Sequence, residues 1–345
     1  MGLFDTGLIG TLELPNRFIR SATAEFAADE DGCVTSGYFP LYSNLAKGDV
    51  GLIIQGHLYI LDEGKAHEGM AGISSDKHLP GLKQIIRKVH AAGTGSKIAA
   101  QLNHGGAYSV STKAPSAREG KTVQVMTDAD IEDVIAGFRE AATRAKKAGY
   151  DAIQIHAAHG YLLSQFYSNR TNQRADSWGG SLENRAQLLL SVYQAIRSTV
   201  GADFPVLAKI NGSDDPIGGF SVEESTQVIA WLADEGLDAI EISGMQSSRK
   251  FKREDEGYFE ATARAIKQSI GDLPLSVVGG IRTASMMTKF HEEFASFISI
   301  CRPFIREPDL VRKLREGKDK ADCISCNRCF EARNIFTCQV EKENK

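Results

Sequence analysis

Two histidines and a tyrosine stand together where a predicted strand ends. The short, mainly apolar segment Tyr150–Ile155 predicts a buried β-strand, and His156, His159 and Tyr161 follow it directly. In parallel α/β folds, reactive side chains lie at the carboxyl ends of the strands. Two imidazoles can donate hydrogen bonds to one ligand oxygen while a phenol supplies a proton. The alternative is loop side chains packed on a rim, beside a long polar loop expected at Ser164–Gly180.

Eight segments along the chain are predicted strands, and each is followed by a segment with helical spacing. The strand segments are apolar on both faces, as expected of parallel strands covered on both sides. This alternation predicts an α/β fold, a TIM (β/α)8 barrel, with Leu8–Pro15 as an N-terminal β-hairpin. A doubly wound sheet is the alternative, but no strand precedes a G-x-G-x-x-G turn. The predicted strands are Arg17–Thr23, Val50–Gln55, Ser96–Leu102, Tyr150–Ile155, Pro205–Ile210, Leu237–Ile242, Leu273–Val278 and Phe297–Ile300.

The composition is that of a globular protein. The 345 residues are 42% hydrophobic and 24% charged, and the formal net charge of −4 gives no general attraction to nucleic acid or anionic membranes. No run approaches the roughly 20 apolar residues of a membrane span. Met1–Gly10 lacks the basic and apolar regions of a signal peptide. We therefore expect a cytoplasmic protein with no nucleic-acid or membrane partner.

Four of the six cysteines crowd into the last part of the chain. In a cytosolic protein such a cluster indicates metal binding rather than disulfides. An iron–sulfur cluster is the first interpretation, zinc held by all four thiolates the second, and a tail without metal the third. We accordingly divide the chain into a barrel domain, residues 1–320, and a Cys-rich tail, residues 321–345. The predicted ligands are Cys323, Cys326, Cys329 and Cys338.

Other predicted strand ends carry groups that suit a phosphorylated, planar ligand. Gly279 and Gly280 would let backbone N–H groups approach a phosphate, and Arg302 adds a charged fork. Lys209 can hold an electron-rich ring or a carboxylate, and Gln101 offers an amide donor and acceptor to the edge of a heterocycle. The alternative is a plain tight turn with a structural arginine. The residues predict an anion-forming cofactor of this kind but do not name it.

From about Leu3 to Arg315 the chain resembles the Old Yellow Enzyme family of FMN-dependent NAD(P)H oxidoreductases. The most specific motif is H-A-A-H-G-Y-L-L-S-Q-F, which begins at His156 and is followed by a second matching block, Asn172–Arg185. Shorter matching motifs occur at Leu14–Arg17, Ala100–His104, Val278–Ile281 and Cys301–Phe304.

The resemblance implies that NAD(P)H gives hydride to flavin N5, which passes it to an activated C=C bond of an enone-type acceptor. His156 and His159 would then bind the acceptor oxygen, and Tyr161 would protonate the acceptor carbon. The residues implied to bind the flavin ring or its phosphate are Ala22, Thr23, Gln101, Lys209, Gly279, Gly280, Cys301 and Arg302.

The chain also departs from the family pattern. Lys209 stands where the family commonly has arginine, so the charge is kept and the bidentate fork is lost. Glu25 follows the Thr23 position, where we expect it to alter the roof of the substrate pocket. The tail resembles the branch containing 2,4-dienoyl-CoA reductase and trimethylamine dehydrogenase, whose cysteine motif holds a [4Fe–4S] cluster, but the spacings here are shorter.

Two other functions stay open at this point. One is an electron-transfer subunit that exchanges electrons with a partner protein through flavin and an iron–sulfur cluster. The other is a non-flavin, phosphate-binding barrel lyase that uses Lys209 as a Schiff base. The physiological substrate, the choice between NADH and NADPH, and assembly into a homo-oligomer are left undetermined by the sequence.

Overall fold

A closed barrel of eight parallel strands forms the centre of the protein. The computed structural model describes residues 2–120, 122–245, 254–333 and 336–340. Each strand pairs with its neighbours in chain order and the last pairs with the first, which confirms the TIM barrel. The barrel strands, β1 to β8, are Phe18–Arg20, Leu52–Tyr59, Lys97–Asn103, Ala152–Ala157, Val206–Asn211, Ala239–Ser243, Leu275–Val278 and Phe297–Ile300.

Helices surround the barrel, and their ends are set by capping residues. Thr127, Ser181 and Ser221 each accept a hydrogen bond from the backbone N–H three residues on, which satisfies a donor that the first helical turn leaves free. The longer helices are Tyr38–Lys47, Leu79–His90, Asp128–Ala148, Leu182–Val200, Val222–Asp234, Glu260–Lys267 and Ala284–Glu293. Shorter ones are Leu162–Tyr167, Arg302–Arg306, Leu310–Arg315 and Arg328–Glu331. Within the described ranges, no helix is long and apolar enough to span a bilayer.

The predicted N-terminal hairpin closes one end of the barrel. Gly7–Ile9 pairs antiparallel with Leu12–Leu14. Ile9 and Leu14 are fully buried in one apolar cluster with inward-facing side chains of the strands, such as Leu52. Because this cluster fills the lower part of the barrel, a ligand can enter only from the opposite end, where the strands finish.

The expected polar loop Ser164–Gly180 is wrong at its beginning. Leu162–Tyr167 forms a helix in which all six side chains are buried, although two of them are polar. Gln165 explains part of this, because its side chain hydrogen-bonds the backbone of Ala107 and Gly160. The partner at Ala107 is far away in the chain, so nothing near Gln165 in the sequence indicates that this polar side chain is buried.

The Cys-rich tail lies against the barrel. Ala321 N donates to Arg282 O at 2.9 Å, and the Phe336 ring meets Tyr38 edge-on at 5.9 Å between centroids. Cys329 and Phe330 also pack against the main hydrophobic core. The structure shows the barrel and the tail in close contact and gives no boundary between them. The division between residues 320 and 321 therefore remains a prediction from the sequence.

Candidate active site

A cavity of about 630 Å³ opens at the carboxyl ends of the strands, which is where barrels of this kind bind ligands. Its volume is in the range of small-molecule and cofactor sites. The structure brings together there every residue that the sequence predicts to bind a cofactor or act in catalysis. These are Ala22, Thr23, Gln101, His156, His159, Tyr161, Lys209, Gly279, Gly280, Cys301 and Arg302.

His156, His159 and Tyr161 form one group because the backbone reverses between them. His156 is in β4, and the chain turns through positive φ at His159 (62°) and Gly160 (77°). The His156 ring centroid lies 5.1 Å from that of His159 and 5.1 Å from that of Tyr161. The His159 N–H donates to Asn211 Oδ1 at 3.0 Å, which fixes this uncommon backbone conformation.

Burial determines the protonation states of these three side chains. It lowers the pKa of His159 to about 3, with a further contribution from the Lys209 ammonium, and it lowers the pKa of His156 well below the usual range. Burial also raises the pKa of Tyr161 to about 12, with a smaller contribution from Tyr108. Near pH 7 the group therefore holds two neutral imidazoles and a protonated phenol.

The His156 ring has a hydrogen-bonding atom left over for a ligand. Among the described residues, its Nδ1 is buried without a hydrogen-bond partner. The neighbouring His159 is oriented, since its Nε2 lies 2.8 Å from Ser243 Oγ. Each neutral ring carries one N–H, so the pair can offer two donors to an acceptor oxygen.

The turn after β7 accepts only glycine. Gly279 and Gly280 have φ of 149° and 69°, and a Cβ on Gly280 would lie 2.5 Å from Tyr258 Cε1 and 2.9 Å from Asp255 O. Arg302 stands beside this turn, where its Nη2 donates to Tyr258 Oη at 3.0 Å. Glycines and an arginine at this place in a barrel fit a phosphate group.

Lys209 is more engaged than the sequence indicates. It is 2% exposed, its Nζ donates to Ser21 Oγ at 2.7 Å, and the same atom lies 3.2 Å from Glu241 Oε2. The sequence reading missed Glu241, and it also missed Gln154, whose Nε2 donates to that carboxylate at 2.8 Å. Both are polar residues inside otherwise apolar strands, which is the signal that could have found them.

Thr23 and Cys301 meet where the barrel closes between β8 and β1. Thr23 Oγ1 lies 3.0 Å from Cys301 Sγ, and Thr23 Oγ1 also donates to Ser21 O at 3.1 Å. Ala22 packs beside them against the apolar cluster inside the barrel. The three residues thus border the cavity on the side where the first and last strands join.

The expectation that Glu25 alters the roof of the substrate pocket is wrong, because Glu25 does not line the cavity. Its carboxylate is buried away from the cavity, where Oε1 accepts hydrogen bonds from Arg20 at 3.3 Å, Tyr42 at 2.6 Å and Gly56 N at 3.1 Å. Its chain neighbours Ala24 and Phe26 line the cavity instead. Residues 24–26 lie outside any strand and Phe26 has a positive φ of 55°, so strand alternation cannot say which side chain faces the cavity. The Glu25 carboxylate finds its charged partner, Arg20, in the interior.

His57 lines the cavity, although the sequence reading assigned it no role. It lies where the pairing of β2 with β3 shifts register, and its ring centroid is 5.2 Å from that of Tyr161. His57 Nδ1 lies 2.9 Å from Asn103 Nδ2, and its Nε2 lies 3.1 Å from His67 Nε2. Burial lowers the pKa of His57 well below the usual range, so the cavity holds a third neutral imidazole.

The tail contributes to the same cavity, which the sequence reading did not foresee. Phe330 and Arg333 line its wall, and Arg333 lies over the Phe26 ring with 5.7 Å from Cζ to the ring centroid. Asn327 Oδ1 accepts a hydrogen bond from Arg302 Nη1 at 2.6 Å. The tail therefore orients one of the predicted phosphate-binding side chains.

The four tail cysteines surround a second, much smaller cavity. Its volume of about 20 Å³ has room for about one water molecule. In the part of the chain that the structure describes, no group of three or more His, Cys, Asp or Glu side chains is arranged to hold a metal ion. The geometry of the described residues thus does not support the [4Fe–4S] or the zinc interpretation.

Comparisons with known proteins agree with this fold. Residues 2–321 match the NADH:flavin oxidoreductase / NADH oxidase family. The NADPH dehydrogenase of Halalkalibacterium halodurans is 32% identical over 314 residues, covering 89% of this chain and 91% of that protein. The structure of the Old Yellow Enzyme homologue from Zymomonas mobilis superimposes with a TM-score of 0.82 at 25% identity, covering 99% of this chain and 98% of that one. The fold and the family match thus define a barrel oxidoreductase. The chain belongs to the NADH:flavin oxidoreductase / NADH oxidase family, of the Old Yellow Enzyme type, whose members use FMN and NAD(P)H.

Some relatives are much longer than this chain. The NADH oxidase of Thermoanaerobacter brockii is 32% identical over 345 residues, covering 94% of this chain and 52% of that protein. A 2-naphthoyl-CoA reductase in complex with 2-naphthoyl-CoA superimposes with a TM-score of 0.91 at 26% identity, covering 98% of this chain and 56% of that one. The chain therefore spans about half the length of such relatives.

Proposed function

We propose that this chain is an FMN-dependent oxidoreductase that transfers hydride from NAD(P)H to the activated C=C bond of an enone-type acceptor. The observation that carries the proposal is the grouping of His156, His159 and Tyr161 on one wall of the cavity that Gly280 and Arg302 also line. One wall can bind and protonate a carbonyl compound, and the other can hold a phosphate.

The residues present fit FMN. The phosphate would lie by Gly280 and Arg302, and the flavin ring would lie over the centre of the barrel, between Gln101 and Lys209. When bound, FMN supplies the hydride chemistry, because it accepts hydride from NAD(P)H and releases it to an acceptor carbon.

The chain's own residues bind the acceptor and move its proton. The N–H groups of His156 and His159 would polarise the acceptor oxygen, and in a buried site such hydrogen bonds are strong. The Tyr161 hydroxyl group would donate its proton to the α-carbon as hydride reaches the β-carbon. Because both imidazoles are neutral at pH 7, the acceptor oxygen is held by donors that do not themselves lose a proton in the reaction.

The lyase alternative fits the geometry less well. A Schiff-base lysine needs a nitrogen that can reach the carbonyl carbon of its substrate. Lys209 Nζ is already engaged on two sides, by Ser21 Oγ at 2.7 Å and by Glu241 Oε2 at 3.2 Å. The electron-transfer alternative needs a cluster in the tail, and among the described residues no group of ligands favours it over the proposed function.

We expect the purified protein to be yellow and to contain one non-covalent FMN per chain. The glycine turn and Arg302 provide a site for one phosphate group. Heat or acid should release the flavin, which chromatography and mass spectrometry then identify. Well-folded protein that releases FAD, or no flavin at all, would contradict the proposed function.

Replacing His156 or His159 with Ala should weaken the binding of phenolate ligands, whose oxygen imitates that of the acceptor. Each hydrogen bond to a charged oxygen is worth about 1.5–3 kcal/mol, so the dissociation constant should rise roughly 10- to 150-fold. A phenol titration, followed by the long-wavelength charge-transfer band, measures this. His90→Ala is the control, because His90 pairs with Asp151 outside the cavity. If His156→Ala and His159→Ala bind phenolate as tightly as His90→Ala does, the acceptor oxygen must bind elsewhere.

A further inference from the structure

A continuous chain of hydrogen bonds lies under the floor of the cavity. Gln101 Nε2 donates to Gln154 Oε1 at 2.7 Å, and Gln154 Nε2 donates to Glu241 Oε2 at 2.8 Å. That carboxylate oxygen lies 3.2 Å from Lys209 Nζ, which donates to Ser21 Oγ at 2.7 Å. The two ends of the chain line the cavity, whereas Gln154 and Glu241 in the middle do not.

The carboxylate determines the direction of this chain. A carboxylate can only accept hydrogen bonds, so Gln154 must turn its NH2 group towards Glu241. The Gln154 carbonyl then faces Gln101, which donates a hydrogen bond to it from its own NH2 group. The Gln101 carbonyl oxygen is left as the acceptor for a ligand. With a neutral amide in place of Glu241, both glutamines could turn over and the order would be lost.

The same carboxylate offsets the charge of Lys209. Both side chains are almost fully buried, at 1% exposed for Glu241 and 2% for Lys209, so water screens the pair little. Only one carboxylate oxygen, Oε2, contacts Lys209. The other, Glu241 Oε1, is buried without a hydrogen-bond partner among the described residues. A carboxylate retained in such an incompletely satisfied place points to a role beyond stability.

We propose that Glu241 is a positioning residue for the cofactor. Acting through Gln154, it presents the Gln101 carbonyl to the pyrimidine edge of the flavin, where an N–H group lies between two carbonyl oxygens. Acting on Lys209, it limits the positive charge beside that edge and so limits how strongly the reduced, anionic form is bound. The inference rests on the proposed function, since it concerns how FMN is held.

The test of the charge effect is Glu241→Gln in the holoenzyme. The substitution keeps the size of the side chain and leaves the Lys209 charge without its partner. Reduced FMN should then bind about tenfold more tightly relative to oxidised FMN, which raises the midpoint potential by about 30 mV for a two-electron couple. Anaerobic titration against a reference dye measures this. Wild-type potential together with wild-type FMN affinity would overturn the proposal.

Glu25→Gln is the matched control. Glu25 is an equally buried carboxylate, 4% exposed and 3.3 Å from the Arg20 guanidinium, but it does not line the cavity and is not part of the chain of hydrogen bonds. It should lower the thermal stability as any broken buried pair does, without moving the potential. If Glu25→Gln shifts the midpoint potential as much as Glu241→Gln does, the effect is a general loss of packing and the proposal is overturned.

Gln154→Met tests the orientation effect separately. It removes the link between Glu241 and Gln101 and leaves the Lys209 pair in place. FMN should bind about tenfold more weakly, the scale of one lost hydrogen bond to a ligand, and the potential should stay unchanged. If Glu241→Gln does not fold, Gln154→Met alone tests the proposal, and an unchanged FMN dissociation constant in that variant rejects it. If the purified wild-type protein binds no FMN, the proposed function itself is rejected, so the two failures are distinguishable.

Discussion

Replacing Tyr161 with Phe should slow the transfer of hydride to an enone by about 100-fold or more. That is the usual scale for the loss of a positioned general acid. Reduction of the flavin by NAD(P)H should change little, because no proton is delivered to a substrate carbon in that step. Stopped-flow measurement of the two half-reactions separates them. Equal losses in both would contradict the role assigned to Tyr161.

The pH dependence provides a second check on Tyr161. Its pKa is raised to about 12, so the phenol keeps its proton at all lower pH values, and the pKa of His159 is lowered to about 3, so that imidazole stays neutral at all higher ones. Hydride transfer to the enone should therefore be almost flat between about pH 6 and pH 9. The control is Tyr108→Phe, since Tyr108 neighbours Tyr161 without lining the cavity, and it should keep the wild-type rate and profile.

Replacing Gly280 with Ala should have the second large effect, a loss of FMN. The new methyl group would lie 2.5 Å from Tyr258 Cε1, and its residue would have to keep φ near +69°. The Tyr258 ring cannot move freely, because its hydroxyl group accepts a hydrogen bond from Arg302. Steric strain and backbone strain together amount to about 2–4 kcal/mol, and the turn can relieve them by shifting away from the phosphate position. FMN affinity should then fall by up to roughly 30- to 1,000-fold, because binding has to restore the strained turn.

Gly271→Ala is the control for Gly280→Ala. Gly271 also has a positive φ, +56°, but a Cβ there has no neighbour within 4 Å. It should show the backbone strain alone, as a small loss of stability with unchanged FMN binding. Fluorescence titration of the apoproteins with FMN compares the two. If Gly280→Ala and Gly271→Ala bind FMN with similar affinity, the close packing of the Gly280 backbone against Tyr258 is unimportant for FMN binding.

The barrel was predictable because its signal is local and repeated. Each strand is an apolar run followed by helical spacing, and every predicted strand overlaps an observed one. The predicted cofactor and catalytic residues also converge on one cavity, because strand ends in a closed barrel must lie at the same rim. Their roles stay predictions until the experiments above are done.

What the sequence did not reveal depends on contacts between distant residues. Glu25 and Glu241 are both glutamates near predicted strand ends, yet one lies behind the barrel wall and the other lies under the cavity floor. Only the partners, Arg20 in one case and Lys209 in the other, distinguish them, and those pairings are set by the closure of the barrel. The helix Leu162–Tyr167 was missed for a similar reason, since Gln165 in it is satisfied in part by the distant backbone of Ala107.

The contacts of the tail with the cavity have a consequence for thermodynamic linkage. Asn327 holds Arg302, and Phe330 and Arg333 form part of the cavity wall. A ligand that needs Arg302 in place therefore binds better when the tail is docked, and by reciprocity the bound ligand holds the tail down. Residues 327–333 are then part of the binding equilibrium, so that saturation with cofactor and resistance of this segment to proteases should rise and fall together.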